Sequence, residues 1–343
     1  MKRPARVTLA DVARLARVSA MTVSRALNTP EKVDAALRER VAQACAQLDY
    51  IPSRAARALA SARSRLVVAL APAGDPACEP LLDGLGAALH EAGYLMAIAR
   101  VDPAHPAPEA RALALRAFLP HAPEAVALAG LAPDAELFAL LGKLDLPWTE
   151  ACGAGADAKP PRPGAGAPPE AVGETAIAHL RANGRRRIGV LAALGEAGAQ
   201  GRLAGAIAAW TAATKDQDVP QAIHPAAPGP ALGQALLAEL LAARPDCDAV
   251  YCTHDLLAWG ALAHCRQAGI AVPDRLLLIG THDLPATRWL TPPLASVATR
   301  RDLAGRQAAL ELIARVEGPA RRARWYDTGH ALRTHDAQPA AAG

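Results

Sequence analysis

From residue 66 onward the chain alternates short apolar runs with longer amphipathic stretches, and few architectures accommodate that pattern. The runs at 66–71, 94–99, 125–129, 188–192, 249–253 and 276–279 have the length and continuity of strands buried on both faces. Between them lie stretches with helical spacing of apolar residues, among them 81–91, 176–182, 203–213, 231–243 and 256–267. Strand, helix and strand in succession give an α/β body of doubly wound parallel sheets, because each helix carries the chain back to the same end of the sheet. Ligands of such sheets bind outside the carboxyl ends of the strands.

The first 65 residues follow a different rule. Leu9, Val12, Ala13 and Ala16 repeat at helical spacing, and Val33, Leu37, Val41, Cys45 and Leu48 share one face of a later helix. Thr8 with Asp11 three residues on is a capping-box variant, Ser19 precedes a short helix over 21–27, and Asp34 caps a third. The link Arg17-Val18-Ser19 has the length found in a helix-turn-helix, so the head is all-α. Charge separates the two regions as well. Residues 1–65 hold 13 Lys/Arg against 5 Asp/Glu, a net +8, and the remainder holds 24 against 28, a net −4. Clustered cations on the head fit a nucleic-acid module, since phosphates are neutralised by Lys and Arg.

Composition excludes several other readings. At 343 residues the chain is long enough for more than one domain. No apolar run reaches the ~20 residues needed to span a bilayer. Charged residues stand where a signal sequence would be apolar, so a cytoplasmic location with no membrane partner is expected. The six cysteines form no CxxC pair and no zinc-finger spacing, so neither a metal nor a disulfide framework is indicated. No glycine-rich phosphate loop, HExxH, GxSxG or kinase signature is present, which leaves no catalytic residue and no cofactor to assign. The segment at 153–169, rich in Gly, Ala and Pro, reads as irregular chain marking a crossing between two lobes, and the tail after Ala331 as disordered.

Two linked motifs sharpen the picture: TLADVARLARVSAMTVSRALN at 8–28 and YIPSRAARALAS at 50–61. The first resembles the DNA-binding helices of the LacI/GalR family of transcriptional regulators, and the second resembles that family's hinge helix. Further on, NGRRRIGVL at 183–191, YCTHDLLAWGAL at 251–262 and GTHDLPATRWLTPPLASV at 280–297 resemble the same family, and the stretches MTVSRALNTPEKVDAALRERV at 21–41 and THDLPATRWLTPPLASV at 281–297 look closest to its gluconate-operon repressor branch. The resemblance implies a helix-turn-helix domain at 1–49, a hinge at 50–63, and an effector-binding and dimerisation body at 64–343 with a two-lobed, periplasmic-binding-protein-like fold. The N-lobe would hold about 64–163 and 292–322, the C-lobe about 164–291 and 323–343.

In that scheme Ala20, Met21 and Arg25 read base edges in the major groove, and Arg25 is able to take guanine bidentately. Thr8, Ser19, Thr22, Ser24 and Asn28 contact the DNA backbone and fix register. In the hinge, Ser53, Arg54, Ala56 and Arg57 surround Leu59, the wedge for a central minor-groove step. The cleft residues implied are Arg202, His254, Asp255, His282, Asp283 and Trp289. The partners implied are near-palindromic double-stranded operator DNA, a second copy of the chain in a homodimer, and a sugar or sugar acid. The function implied is a repressor of carbohydrate or sugar-acid genes. The alternatives are a regulator with a degenerate pocket or a neutral-sugar effector, a solute-binding protein of the same body fold, and an α/β sugar-acid enzyme.

Overall fold

A computed structural model describes residues 7–52, 63–102, 109–131, 134–153, 162–215, 219–319 and 321–335. The hinge residues Ser53, Arg54, Ala56, Arg57 and Leu59 lie outside them. The chain divides into two compact units, Met1–Arg65 and Leu66–Gly343.

The first unit is built from α1 (Leu9–Ala16), α2 (Ala20–Asn28) and α3 (Ala35–Gln47). Thr8 and Asp11 form the reciprocal capping box, and Arg17 ends α1 in the left-handed region at φ 54°. This lets the chain turn within three residues into the Ser19 cap of α2. Asp34 caps α3 by accepting from the amides of Ala36 and Leu37. Val12, Ala13, Ala16, Val23, Ala26, Val41 and Ala44 form the small core on which the three helices close.

The second unit holds two six-stranded sheets. The first contains β1 (Leu66–Pro72), β2 (Leu95–Val101), β3 (Ala125–Ala129), β4 (Trp148–Ala151), β5 (Gly164–Gly166) and β11 (Trp325–Asp327), in the order β11-β5-β4-β3-β1-β2. The second contains β6 (Ile188–Ala193), β7 (Gln221–His224), β8 (Ala249–Cys252), β9 (Leu277–Thr281), β10 (Ala295–Ala298) and β12 (Ala331–Arg333), in the order β12-β10-β9-β8-β6-β7. Among the described residues all strand pairings are parallel except β10 with β12. The strands β1, β3, β6 and β8 are buried along their whole length, as strands covered by helices on both faces must be.

Helices α4 (Cys78–Glu91), α5 (Ala110–Arg116), α6 (Ala135–Lys143) and α11 (Arg301–Glu317) belong to the first lobe. Those of the second are α7 (Pro169–Ala182), α8 (Ala199–Thr214), α9 (Pro230–Ala243) and α10 (Asp255–Gln267). Three helix pairs dominate the packing, and each crosses at reciprocal glycines. A Cβ on Gly84 would stand 1.9 Å from the Asp302 carbonyl oxygen, and one on Gly305 2.0 Å from that of Leu81. Gly173 and Gly205 do the same for α7 and α8, and Gly233 and Gly260 for α9 and α10.

Several expected boundaries are corrected here. The chain passes between lobes after β5, after β10 and after β11, because β5 and β11 hydrogen-bond into the first sheet and β10 into the second. The 153–169 segment thus contains a strand before its crossing. The tail after Ala331 opens with β12, which pairs antiparallel with β10. Pro169 starts α7 at a position where a missing N–H costs nothing.

Candidate functional site

On the head, α2 presents its N-terminal turn outward. Ser19, Ala20, Arg25 and Asn28 are exposed, and Met21 is 71% exposed although it is apolar. Ser19 Oγ accepts from the Thr22 amide at 3.1 Å and lies 2.8 Å from the Thr22 hydroxyl, while Asn28 Nδ2 donates to Ser24 Oγ at 3.2 Å. Val23 and Ala26 on the opposite side lock the helix to the core. The exposed face therefore carries one cation, one thioether and short hydroxyl and amide groups, the chemistry of a helix that enters a groove.

In the body, charged and imidazole side chains converge just past the strand ends. Asp75 follows β1, Glu196 follows β6, His254 follows β8 and His282 follows β9, which places them at the carboxyl edges of both sheets. Arg202 comes from the first turns of α8, and Arg301 opens α11. Arg202 Nη2 donates to Glu196 Oε2 at 2.5 Å. His282 Nε2 lies 2.9 Å from Glu196 Oε1, and its Nδ1 is 3.0 Å from Thr299 Oγ1 and 3.2 Å from Arg301 Nη1. Arg301 Nη1 stands 3.6 Å from Glu196 Oε1. His254 Nε2 faces Asp75 Oδ1 at 3.3 Å across the lobe boundary, and the two imidazoles meet edge to face at 4.8 Å.

The cluster separates two hollows. One is lined by Pro72, Gly74, Asp75, Gly130 and Glu196; the other, smaller one by Cys152, Gly198, Arg202, His282, Thr299 and Arg301. The backbone is strained beside them. His282 has φ 101°, Asp283 57°, Cys152 58° and Arg300 41°, values that side-chain-bearing residues hold only when their surroundings impose them.

Burial alone would push the Glu196 carboxyl up, but Arg202 and the two imidazoles hold it down at about 2. His282 is driven down to about 3 by burial and by Arg301, and so is neutral. Asp75 is held well below the carboxylate range by His254 and Arg301, against the opposing effect of burial.

Glu196, His254 and His282 offer ligand atoms within 4.8 Å of one another, near the spacing of a metal centre. The proton positions oppose that use. His254 Nδ1 accepts from the Leu256 amide, and His282 Nδ1 receives the Arg301 guanidinium, so both protons sit on Nε2 and point at carboxylates. The cluster is built from hydrogen bonds and ion pairs, with three buried nitrogens still without a hydrogen-bond partner of good geometry: Arg202 Nε, Arg301 Nε and His254 Nε2.

Comparison with known proteins agrees with this architecture. Residues 8–53 match the model of bacterial regulatory proteins of the lacI family, and residues 177–327 match a periplasmic binding protein-like domain. The HTH-type transcriptional regulator GntR of Pseudomonas aeruginosa is 31% identical over 332 residues, covering 95% of this chain and 94% of its own. The chain belongs to the LacI family. Among solved structures, the transcription regulator GntR from Chromobacterium violaceum is 35% identical, with a TM-score of 0.69 over 78% of this chain and 97% of that one. The Lac repressor dimer bound to operator and the anti-inducer ONPF shares the fold, with a TM-score of 0.82 at 22% identity over 97% and 99%. This LacI-family member is thus a transcriptional regulator with a DNA-binding domain and an effector-binding domain. Its relatives are named as transcriptional regulators, not as enzymes. Among the described residues, no helix is long and apolar enough to cross a membrane.

The cleft residues expected from the sequence divide by orientation. Arg202, His254 and His282 meet in the cluster. Asp255 does not. Its carboxylate is buried in the second lobe, where it accepts from the Leu284 amide at 2.7 Å, the Ser296 hydroxyl at 2.8 Å and the Thr287 hydroxyl at 3.3 Å. It ties α10 to β10 and to the 284–287 segment that follows β9, rather than facing an effector. Asp283 turns to His335 at 2.8 Å, and Trp289 is 74% exposed, so neither reaches the cluster. In both His-Asp pairs the histidine faces the cleft and the aspartate faces away. Glu196, Arg301 and Asp75 do not stand out in the sequence, and the only signal for Glu196 and Asp75 is their position just after apolar strands.

Two of these groups oppose each other in acid. Burial raises Asp255 from 3.8 to about 6, so between pH 6 and 4 the folded state holds a proton that the unfolded state lacks, and stability rises as pH falls. His282, lowered from 6.5 to about 3, does the reverse, because the unfolded chain takes the proton first. A tenfold difference in proton affinity between the two states is worth about 1.4 kcal/mol. Asp255→Asn removes the compensating group, and denaturant melts from pH 7 to 4 should show the variant losing about 2 kcal/mol more than the parent over that range. Parallel pH profiles would contradict the assignment.

Proposed function

We propose that this regulator represses genes of carbohydrate or sugar-acid breakdown, binding near-palindromic operators as a homodimer and responding to a small sugar acid in the cleft between its lobes. The observation that carries the effector class is the pair of buried guanidiniums, Arg202 and Arg301, each with an Nε–H lacking a partner. Planar forks of this kind suit a carboxylate, and a buried unpaired donor is costly until a ligand accepts from it. The likeness of the 21–41 and 281–297 stretches to gluconate-operon repressors points the same way, as does the GntR relative. A ligand acts here only through unequal affinity for the two lobe arrangements. The dimer rests on the likeness to the operator-bound Lac repressor dimer.

For DNA, Ala20, Met21 and Arg25 are assigned to bases, Thr8, Ser19, Thr22, Ser24 and Asn28 to the backbone, and Leu59 with its neighbours Ser53, Arg54, Ala56 and Arg57 to the minor groove. Arg25→Ala should weaken specific binding about 10- to 100-fold, the worth of ~1–3 kcal/mol for a bidentate base contact, and relax preference at one base pair. A uniform loss across all sequences would instead make Arg25 a phosphate contact. The reading as a whole is tested by selecting genomic fragments with the full-length protein at fixed salt and transcribing from the selected promoters in vitro. Recovered near-palindromes with transcripts reduced by the protein support it. Sites lacking symmetry, or transcripts that increase, count against a dimeric repressor.

A further inference from the structure

Glu196 occupies the place where a bound anion would be expected. It projects from the loop between β6 and α8 into a site that is closed to solvent, and it keeps its charge there. Arg202 grips one oxygen at 2.5 Å, while His282 at 2.9 Å and Arg301 at 3.6 Å approach the other. Two guanidiniums and an imidazole N–H around one carboxylate form the arrangement by which proteins recognise a ligand's carboxylate, and here the chain supplies it. The contact with Arg301 also joins the lobes, since Glu196 belongs to the second and α11 to the first.

The position is filled but not saturated. Arg202 Nε and Arg301 Nε remain without partners, and a small hollow lined by Cys152, Gly198, Thr299 and both arginines adjoins them. Glu196 lies between Gly195, whose amide donates to the Ala226 carbonyl at 3.0 Å, and Gly198, at φ 83°, so the exchange is one of side chains on a held loop. Charge balance favours exchange over addition. Asp75 and Glu196 offset Arg202 and Arg301, so an anion added on top would leave an uncompensated buried charge, whereas an anion that replaces Glu196 keeps the cluster neutral.

We propose that Glu196 is a tethered surrogate for the effector's carboxylate: it fills the anion position and links the lobes when no ligand is bound, and a monocarboxylate sugar acid binds by displacing it. The inference rests on the sugar-acid reading of the cleft and adds the exchange that admits the ligand. Affinity for the effector is then set by competition with an internal carboxylate at high effective concentration. Release of the Glu196–Arg301 contact gives the bound state a different lobe linkage.

The experiment uses the full-length chain and Glu196→Ala, with thermal melting and calorimetric titration against sodium acetate, sodium gluconate and glucose at constant ionic strength. Acetate should raise the melting temperature of Glu196→Ala saturably and leave the parent unchanged. Gluconate should bind the variant at least 10-fold more tightly than the parent, and glucose should show no difference. Glu196→Gln keeps the shape and loses the charge; should the alanine variant fail to fold, the same gain in gluconate affinity is expected of it. The proposal is overturned if neither acetate nor gluconate binds the variants more tightly than it binds the parent. Rescue by acetate without any preference for gluconate would uphold the surrogate and remove the sugar-acid reading. Tight gluconate binding by the parent that weakens in the variants would do the opposite.

Discussion

Arg202→Met is expected to destabilise the effector-binding body by about 3–5 kcal/mol, the usual cost of removing one member of a buried ion pair. Arg202 is 4% exposed and its partner Glu196 7% exposed, so the carboxylate would lose its closest cation without gaining water. His282 cannot take over, because burial and Arg301 keep it neutral. The deficit should depend on pH. With Arg202 gone, Glu196 rises from about 2 toward and beyond its ordinary 4.5, so the folded variant comes to hold a proton more tightly than the unfolded chain does. Its stability relative to the parent should therefore recover as pH is lowered from 7 to 5. Denaturant melts at the two pH values give the answer, and a deficit below about 1 kcal/mol at both would mean that the pair is solvated.

Gly305→Val should have a comparable effect by a different route. A Cβ at 305 would stand 2.0 Å from the Leu81 carbonyl oxygen and 2.9 Å from the Leu85 amide nitrogen, both backbone atoms that cannot swing aside. Helices α4 and α11 would have to separate, and the layer of Leu81, Leu85, Ala304, Ala308 and Leu312 beneath them would open. Overpacking alone costs about 1–3 kcal/mol, and the loosened layer adds to it, so a loss above about 3 kcal/mol is expected. Because Arg301 opens the same helix one turn earlier, the cleft cluster should be lost with it. Gly142→Ala is the control of opposite sign. Its Cβ meets nothing, and helix propensity favours alanine by about 1 kcal/mol. Equal melting temperatures for Gly305→Val and the parent would refute the close crossing.

These crossings also show where the sequence was readable. The strand at 125–129 and the helix ending at Glu91 are legible because continuous burial and helical periodicity survive in the order of residues. The short strand β5 is not legible, since Gly-Ala-Gly has neither β propensity nor an apolar side chain of any size, and it is held by β4 and β11 on either side. β11 lies far along the chain from the rest of its sheet, so its pairing is a property of topology rather than of local pattern. The head was legible down to its caps, because Thr8, Asp11, Ser19 and Asp34 act within three residues of themselves.

The cleft was half legible for a geometric reason. His254 and Asp255 are neighbours in sequence, but His254 is the cap of α10 and Asp255 its first residue, so their side chains leave in different directions. A motif names both residues without saying which one faces the ligand. His282 and Asp283 repeat the ambiguity after β9. Arg301 carries no sequence signal, since it is brought to Glu196 only when the chain crosses back to the first lobe.

The central claim is that a cleft ligand alters DNA affinity. The measurement that tests it most directly is binding of the full-length protein to its own promoter region at fixed salt, titrated with gluconate, ketogluconates, 6-phosphogluconate and neutral sugars. Salt is held constant because phosphate contacts dominate the affinity. A shift of at least ~5-fold with a sugar acid, the lower end of typical allosteric coupling, is the predicted result. Tight promoter binding that no member of the series changes would contradict it.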